Sequence, residues 1–475
     1  MLFNSLEFAV FLVVVFSLFW SVPQRFRWVV LCAASYFFYG CWSVKYLLLI
    51  LLQTAVSFYA AKAIAVSHQK GARRAWLTVT LVVCLGILGL FKYFNFFADS
   101  LVQLLGGLGL SVSPVTLNLL LPVGISFYTF QSLSYVIDVY RKEVEPEKSF
   151  FRFATFVAFF PQLVAGPIER TGNLLPQINK QFCFSYQKAT YGMKLMAWGL
   201  FKKIVVADTL AVYVDTVYNS VHSFTGFALI GASVLFAFQI YCDFSGYSDI
   251  AIGVAKLFDI DLMRNFHSPY VAVSIREFWS RWHISLSTWF KDYVYIPLGG
   301  NRCSRLRRSV NLLVTFLVSG LWHGANWTFV VWGAIHGLGQ VVENFLPKKK
   351  SKPGKLLGWL FVFGFVVCGW VFFRAQSLED AAYVFTHCFR GLGSPVDYLV
   401  SGLRSMGFAA ADLGRMAVSL AVLLCFDFFN AKTDLLRSVG KLRAPVRWLI
   451  YIGFVCFTIY MLPNHGGGEF IYFQF

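Results

Sequence analysis

The chain has 475 residues, 58% hydrophobic and 13% charged, with a formal charge of +18. Soluble domains carry about 25% charged residues, and apolar blocks long enough to cross a bilayer recur along the whole length, which excludes a soluble globular enzyme. The basic residues sit in short links between those blocks, the pattern of cytoplasmic loops among membrane lipids, so the charge does not indicate a nucleic-acid partner. The ten cysteines show no paired spacing. Most lie in apolar runs, as Cys84, Cys368 and Cys456 do, and are expected as small buried residues, neither a disulfide framework nor a metal site.

The first twenty residues, MLFNSLEFAVFLVVVFSLFW, lack a basic leading segment and carry Glu7 before their apolar run; they are expected to be an uncleaved helix. Helices are expected at 6–20, 28–44, 46–66, 76–97 and 117–137. The links at 21–27 (Arg25, Arg27) and 67–75 (Lys70, Arg73, Arg74), and the pair Arg141–Lys142, are basic, which places them in the cytoplasm and the N-terminus outside. Segment 150–170, FFRFATFVAFFPQLVAGPIER, is interrupted by Pro161, Gly166 and Pro167. It is expected to be a re-entrant or interfacial element, buried in protein or lining a cavity.

Residues 189–218 and 225–257 have helical character yet contain Lys202, Lys203, Asp208, Asp215, Asp243 and Asp249. An acidic side chain at membrane depth costs about 2.5–3.5 kcal/mol, so the stretch FQIYCDFSGYSDIAIG is expected to face an internal polar cavity. From Arg276, Trp279, Trp282, Leu286 and Trp289 recur at spacings of three and four, which predicts an amphipathic, tryptophan-rich interfacial helix ended by Pro297. A basic cluster, Arg302, Arg305, Arg307 and Arg308, precedes the apolar stretch 310–346, and a second, KKKSKPGK, follows it at 348–355. Further helices are expected at 356–374, 414–430 and 446–462.

The stretch 310–346 holds two histidines, each enclosed by glycines four apart: Gly320-Leu-Trp-His-Gly324 and Gly333-Ala-Ile-His-Gly337. Such glycine spacing lets a neighbouring helix approach closely, and an intramembrane imidazole must face protein or a water-filled cavity. Read as one helix, the stretch puts His323 about 20 Å from its cytoplasmic end and His336 rotated from it by about 220°. The two then point to nearly opposite faces and cannot share a site: one is functional and the other a packed core histidine. His283, beside Arg281 and Trp282, is either an interfacial histidine or a second histidine at the site.

Several stretches together resemble the membrane-bound O-acyltransferase family, in particular its alginate O-acetyltransferase branch. They are LLPVGISFYTFQSLSYVIDVYR at 120–141, FFPQLVAGPIER at 159–170, DFSGYSDIAIG at 243–253, FWSRWHISLSTWFKDYVYIPLGGNR at 278–302, LWHGANWTFVVWGAIHG at 321–337 and the final FIYFQF. The resemblance implies an all-α, polytopic integral membrane protein of about 10–12 transmembrane helices, with re-entrant and interfacial helices around a central tunnel. The whole chain, 1–475, is expected to form one membrane-embedded domain: N-terminal helices to 140, a catalytic core at about 150–346, and C-terminal helices from 356. The histidine of the Trp-His-Gly motif, His323, is implied as catalytic, with His283 the other histidine of the active-site tunnel. Trp282, Trp322, Asn326, Asp243 and Tyr247 are candidate tunnel-lining residues, and Ser245 shares a motif with the last two.

The implied activity is O-acyl transfer without a bound cofactor, with acetyl-CoA the expected donor. Taking the proton of an attacking hydroxyl suits a neutral imidazole. The implied acceptor is an exported polysaccharide, reached through a secreted or membrane-anchored, esterase-like partner from a bacterial cytoplasmic (inner) membrane. Two other readings stand beside it: D-alanyl transfer to teichoic acid, and a transporter or flippase. Intramembrane acids and broken helices also suit the latter, although the chain lacks the internal repeat many transporters have.

Overall fold

The computed structural model describes residues 1–110, 112–113, 115–164, 166–345, 352–462 and 470. The first three lysines of the KKKSKPGK link and nearly all of the C-terminal tail lie outside them. Every regular element among the described residues is a helix. Backbone hydrogen bonds closed within each segment are what a lipid environment requires. Two compact units are present: Met1–Met193 with Ala251–Met263, and Lys194–Ile250 with Arg264–Phe475.

In the first unit, helices Leu6–Ser21, Arg27–Gly40 and Val44–Val66 fall where apolar length predicts. The fourth begins inside the expected basic link, at Lys70, and continues through a π-helical turn at Gly89–Tyr93 to Gly107. The fifth begins at Ile125 instead of 117, because Gly124 adopts φ +74 there. A Cβ on Gly124 would stand 2.5 Å from the Leu163 carbonyl oxygen. Helix Ile125–Arg141 is buried along almost its whole length and uses polar side chains as fasteners: Thr129 Oγ1 donates to Gln53 Oε1 at 3.0 Å, and Gln131 Nε2 to the Phe156 carbonyl at 2.7 Å.

The segment 150–170 is broken as expected, into helix Phe150–Ala158 and a single turn Phe160–Leu163. Phe153, Phe156, Phe159 and Phe160 are wholly inaccessible, so its irregular backbone is buried in protein. The unit is closed by a salt-bridge cluster on 251–263. Asp259 binds Lys188 at 2.7 Å and Lys180 at 3.0 Å, and Asp261 binds Lys256 at 2.6 Å and Lys188 at 2.9 Å.

The second unit contains Phe227–Ile250 of the long helix Phe227–Leu257, the paired helices Arg305–His323 and Trp327–Glu343, and the apolar helices Lys352–Arg374, Ala410–Asn430 and Ala444–Tyr460. The polar stretch around Asp243 meets cations where a cavity is expected. A π-helical run, Phe201–Ala207, presents Lys203 to Asp208 and Asp243 at 2.8 and 2.6 Å, and Lys202 to Asp249 at 2.7 Å and Ser245 Oγ at 2.8 Å. Pairing is the other way to keep an acid at membrane depth.

Four helices among the described residues are long and apolar enough to cross a membrane: Val44–Val66, Lys70–Gly107, Phe227–Leu257 and Pro353–Arg374. Pro395–Ser405 and Ala410–Asn430, bent by 95°, make a fifth if taken as one broken span, and Leu6–Ser21 and Ala444–Tyr460 are shorter apolar helices.

Candidate active site

The stretch 310–346 is not one helix. Arg305–His323 stops at the first motif histidine, Gly324 is extended, and Trp327–Glu343 begins three residues later. The sequence contains the reason: Asn326 is a helix N-cap, its Oδ1 accepting from Thr328 N–H at 3.0 Å, while its Nδ2 donates to the Gln376 carbonyl at 2.9 Å. The glycines do admit a close neighbour, and that neighbour is the other arm. A Cβ on Gly320 would lie 2.2 Å from the Phe329 carbonyl oxygen, and one on Gly333 2.4 Å from that of Phe316.

The turn changes the relation of the histidines, because the rotation along a single rod no longer applies. Both rings contact Trp332, at centroid distances of 5.1 Å for His323 and 5.0 Å for His336. His336 is enclosed in the core: Trp279 Nε1 donates to its Nδ1 at 3.3 Å, Phe365 lies 5.3 Å from its ring, and a Cβ on Gly369 would meet its Nε2 at 2.7 Å.

His283 is brought to His323 instead. The expected tryptophan-rich helix is two short ones, Ile275–Arg281 and Ile284–Phe290, and His283 is the joint between them at φ +42, ψ 55. Its aromatic face is packed into protein: Trp279, Trp282, Leu286 and Trp289 are all buried, and His283 is wholly inaccessible, so it is not a histidine satisfied at an interface. The His283 and His323 rings are 6.4 Å apart, and Trp322 stands beside both, at 6.0 and 4.9 Å.

Two cavities lie near this pair, one along the Arg305–His323 arm and one just beyond its end, and neither histidine is among their lining residues. One, of about 560 Å³, has Arg276, Lys291 and Arg308 on its wall and reaches Thr315, Phe316 and Ser319. Ser319 is one turn, about 6 Å, before His323. The other, of about 550 Å³, begins at Gly324 and is lined by Asn219, Asn326, Phe373, Gln376 and the ion pair Asp215–Arg374 at 2.6 Å. Phe373 separates it from the His323 ring at 5.3 Å. Three basic side chains on one wall suit a phosphorylated ligand; amides and a carboxylate on the other suit hydroxyls.

Of the expected lining residues, Asn326 faces the second cavity. Trp322 flanks both histidines, while Trp282 is packed on Phe278 and Trp370 at 5.5 and 4.9 Å. Asp243 is bound to Lys203, and Tyr247 packs on Phe470 at 4.7 Å. Sequence reasoning missed Asn265, whose Oδ1 lies 3.0 Å from His283 Nδ1. Its stretch, RNFHSPY, reads as an ordinary turn, and an amide reaching across 18 residues leaves no periodic signal.

Residues 143–379 match the model of MBOAT, the membrane-bound O-acyltransferase family. A probable alginate O-acetylase of Azotobacter vinelandii is 39% identical over 447 residues, 94% of this chain and 88% of that protein. A peptidoglycan O-acetyltransferase of Helicobacter pylori is 39% identical over 388 residues, 75% of this chain and 72% of that protein. A teichoic acid D-alanyltransferase of Streptococcus thermophilus is 30% identical over 258 residues, 50% of this chain and 60% of that protein. With such identity across nearly its whole length, this chain belongs to the membrane-bound O-acyltransferases and is an O-acyltransferase of the membrane.

Proposed function

We propose that the chain moves an acetyl group from a cytoplasmic thioester toward hydroxyls of an exported polysaccharide, with His323 as general base. The observation that carries this reading is the pair of imidazoles 6.4 Å apart, with one cavity, bearing basic residues, reaching Ser319 before His323 and a polar one beginning at Gly324 after it. The acceptor hydroxyl loses its proton to His323 as its oxygen attacks the thioester carbonyl. The tetrahedral intermediate collapses, the C–S bond breaks, and the proton returns to the departing thiolate. His283 supports that proton transfer or positions the acceptor.

The donor is acetyl-CoA or another phosphate-bearing thioester, its phosphates held by Arg276, Lys291 and Arg308. Those residues adjoin the basic links that the positive-inside rule assigns to the cytoplasm; on this reading the second cavity is the outward one, and the membrane is the bacterial cytoplasmic membrane. Delivery to a polymer falls to a secreted or membrane-anchored, esterase-like partner. The names of the Azotobacter and Helicobacter relatives favour acetyl transfer to a polysaccharide or to peptidoglycan. The Streptococcus relative supplies the second reading, D-alanyl transfer, at lower identity and coverage.

The test is the acid released by alkali from surface polysaccharide, compared between wild type and His323→Ala at equal membrane expression. Loss of ester acetate at unchanged polymer yield is expected. Unchanged acetate removes His323 from the mechanism, and release of D-alanine in place of acetate moves the second reading to the front.

A further inference from the structure

The amide of Asn265 has only one orientation consistent with its neighbours. Its Oδ1 is 3.3 Å from the backbone nitrogen of Ser285, 2.9 Å from Ser285 Oγ and 3.0 Å from His283 Nδ1, while its Nδ2 is 3.1 Å from Ser248 Oγ. A backbone N–H only donates, so the atom facing Ser285 N is the oxygen. An amide oxygen only accepts, so His283 Nδ1 must carry the proton it shares with Asn265. A neutral imidazole has one N–H, which leaves the lone pair on Nε2. Nε2 is buried and has no hydrogen-bond partner among the described residues.

The same residue holds the backbone of this turn. The Asn265 carbonyl accepts from Ile284 N–H at 2.9 Å, immediately after the left-handed conformation of His283, which side-chain-bearing residues rarely adopt. Asn265 and His283 are both wholly inaccessible. Strained, over-determined positions of this kind are characteristic of working residues.

We propose that Asn265 is a positioning residue that holds His283 as its Nδ1–H tautomer and so presents the Nε2 lone pair to the reaction, an inference that rests on reading this site as the acyl-transfer centre. His283 then enters the transfer as an acceptor. It takes or passes on a proton, and it does not serve as a hydrogen-bond donor to the oxyanion at the thioester carbonyl. Among the described residues, the groups facing its ring are Phe244 and Ser248 from the Phe227–Leu257 helix, Phe266 beside Asn265, and Trp322 and His323 from the Arg305–His323 arm. His323 is the ionisable side chain among them.

Two variants and one spectrum test this. Asn265→Asp keeps an acceptor at Nδ1 but places a negative charge beside the ring, which favours imidazolium. The acid limb of the pH profile of kcat/KM, measured as thiol release from acetyl-CoA by membranes containing the full chain, is expected to move to higher pH by about one unit. Asn265→Leu removes the acceptor and is expected to lower kcat/KM by about 10–100-fold at unchanged membrane yield, the range for residues that orient a working imidazole. An acid limb unmoved in Asn265→Asp overturns the proposal. So does a 15N spectrum of the histidine-labelled wild type, assigned with His283→Gln, that shows the Nε2–H form. If wild-type membranes release no thiol while the spectrum shows Nδ1–H, the acyl-donor reading fails and the placement of the proton by Asn265 stands.

Discussion

Truncating His336 to alanine would strip Trp279 Nε1 of the acceptor it has at 3.3 Å and leave a void between Phe365 and Trp332, both close to the imidazole. Unfilled core volume and an orphaned donor both destabilise. The expected outcome is a lower midpoint of thermal unfolding in detergent with acyl transfer per folded molecule retained. His323→Ala also empties a packed position, against Trp322, Trp332 and Phe373, and is expected to lower the midpoint too. It differs in reducing transfer per folded molecule by about 10²–10⁴-fold, the usual contribution of a general base. Measuring both quantities on both variants separates the histidines. A His336 variant that folds normally but is inactive would refute the core assignment. Sequence reading separates the two only by resemblance, since each sits between glycines in an apolar run. What distinguishes them is their surroundings: His283 and the end of a cavity beside one, an indole donor and a glycine against the other.

At the level of elements, apolar pattern identifies helices well and their ends poorly. Leu6–Ser21, Val44–Val66 and Ala444–Tyr460 lie within a few residues of expectation, because length and hydropathy alone define them. The stretch 310–346 reads as one helix because both arms are equally apolar, so the pattern does not change across the turn. The cue is chemical: Asn326 two residues before Thr328, with Gly324 ahead of it, is an N-cap signature. The resulting hairpin makes a prediction about packing. Gly333→Ala would drive a methyl group to 2.4 Å from the Phe316 carbonyl oxygen, and backbone cannot give way as a side chain does. Overpacking of this kind costs about 1–3 kcal/mol. A clear fall in the unfolding midpoint is expected, whereas Gly364→Ala, at a glycine with open space around it, should leave it unchanged. Equal effects of the two substitutions would contradict the close approach of the arms.

Across the molecule, the partners of buried charges are the least legible feature. Composition shows that Asp243 and Asp249 need an answer, but Lys202 and Lys203, some forty residues away, supply it only through tertiary packing. The cluster on 251–263 is of the same kind and bears on stability. Burial raises the carboxyls of Asp259 and Asp261, but Lys188, Lys180 and Lys256 outweigh it and hold both below the usual range. A depressed carboxyl stabilises the fold above its unfolded pKa, about 3.9, and that stabilisation is lost as pH falls through the folded value. Lowering the pH from 6 toward 3 should therefore depress the unfolding midpoint more in wild type than in Asp259→Asn, which lacks one of these groups. Parallel curves would mean that the cluster contributes nothing.

The two cavities lead to a prediction about sidedness. Ser287 lines the basic cavity and Gln376 the polar one, and if transfer proceeds across the membrane they open to opposite compartments. Single cysteines at these positions, in a chain whose ten native cysteines are replaced, can be labelled with a membrane-impermeant maleimide. Gln376→Cys should react in spheroplasts and Ser287→Cys only in inverted vesicles, as the Arg302–Arg308 cluster directs by the positive-inside rule. Labelling of both from one side would confine donor and acceptor to the same compartment, and the chemistry at His323 would then modify a molecule before export.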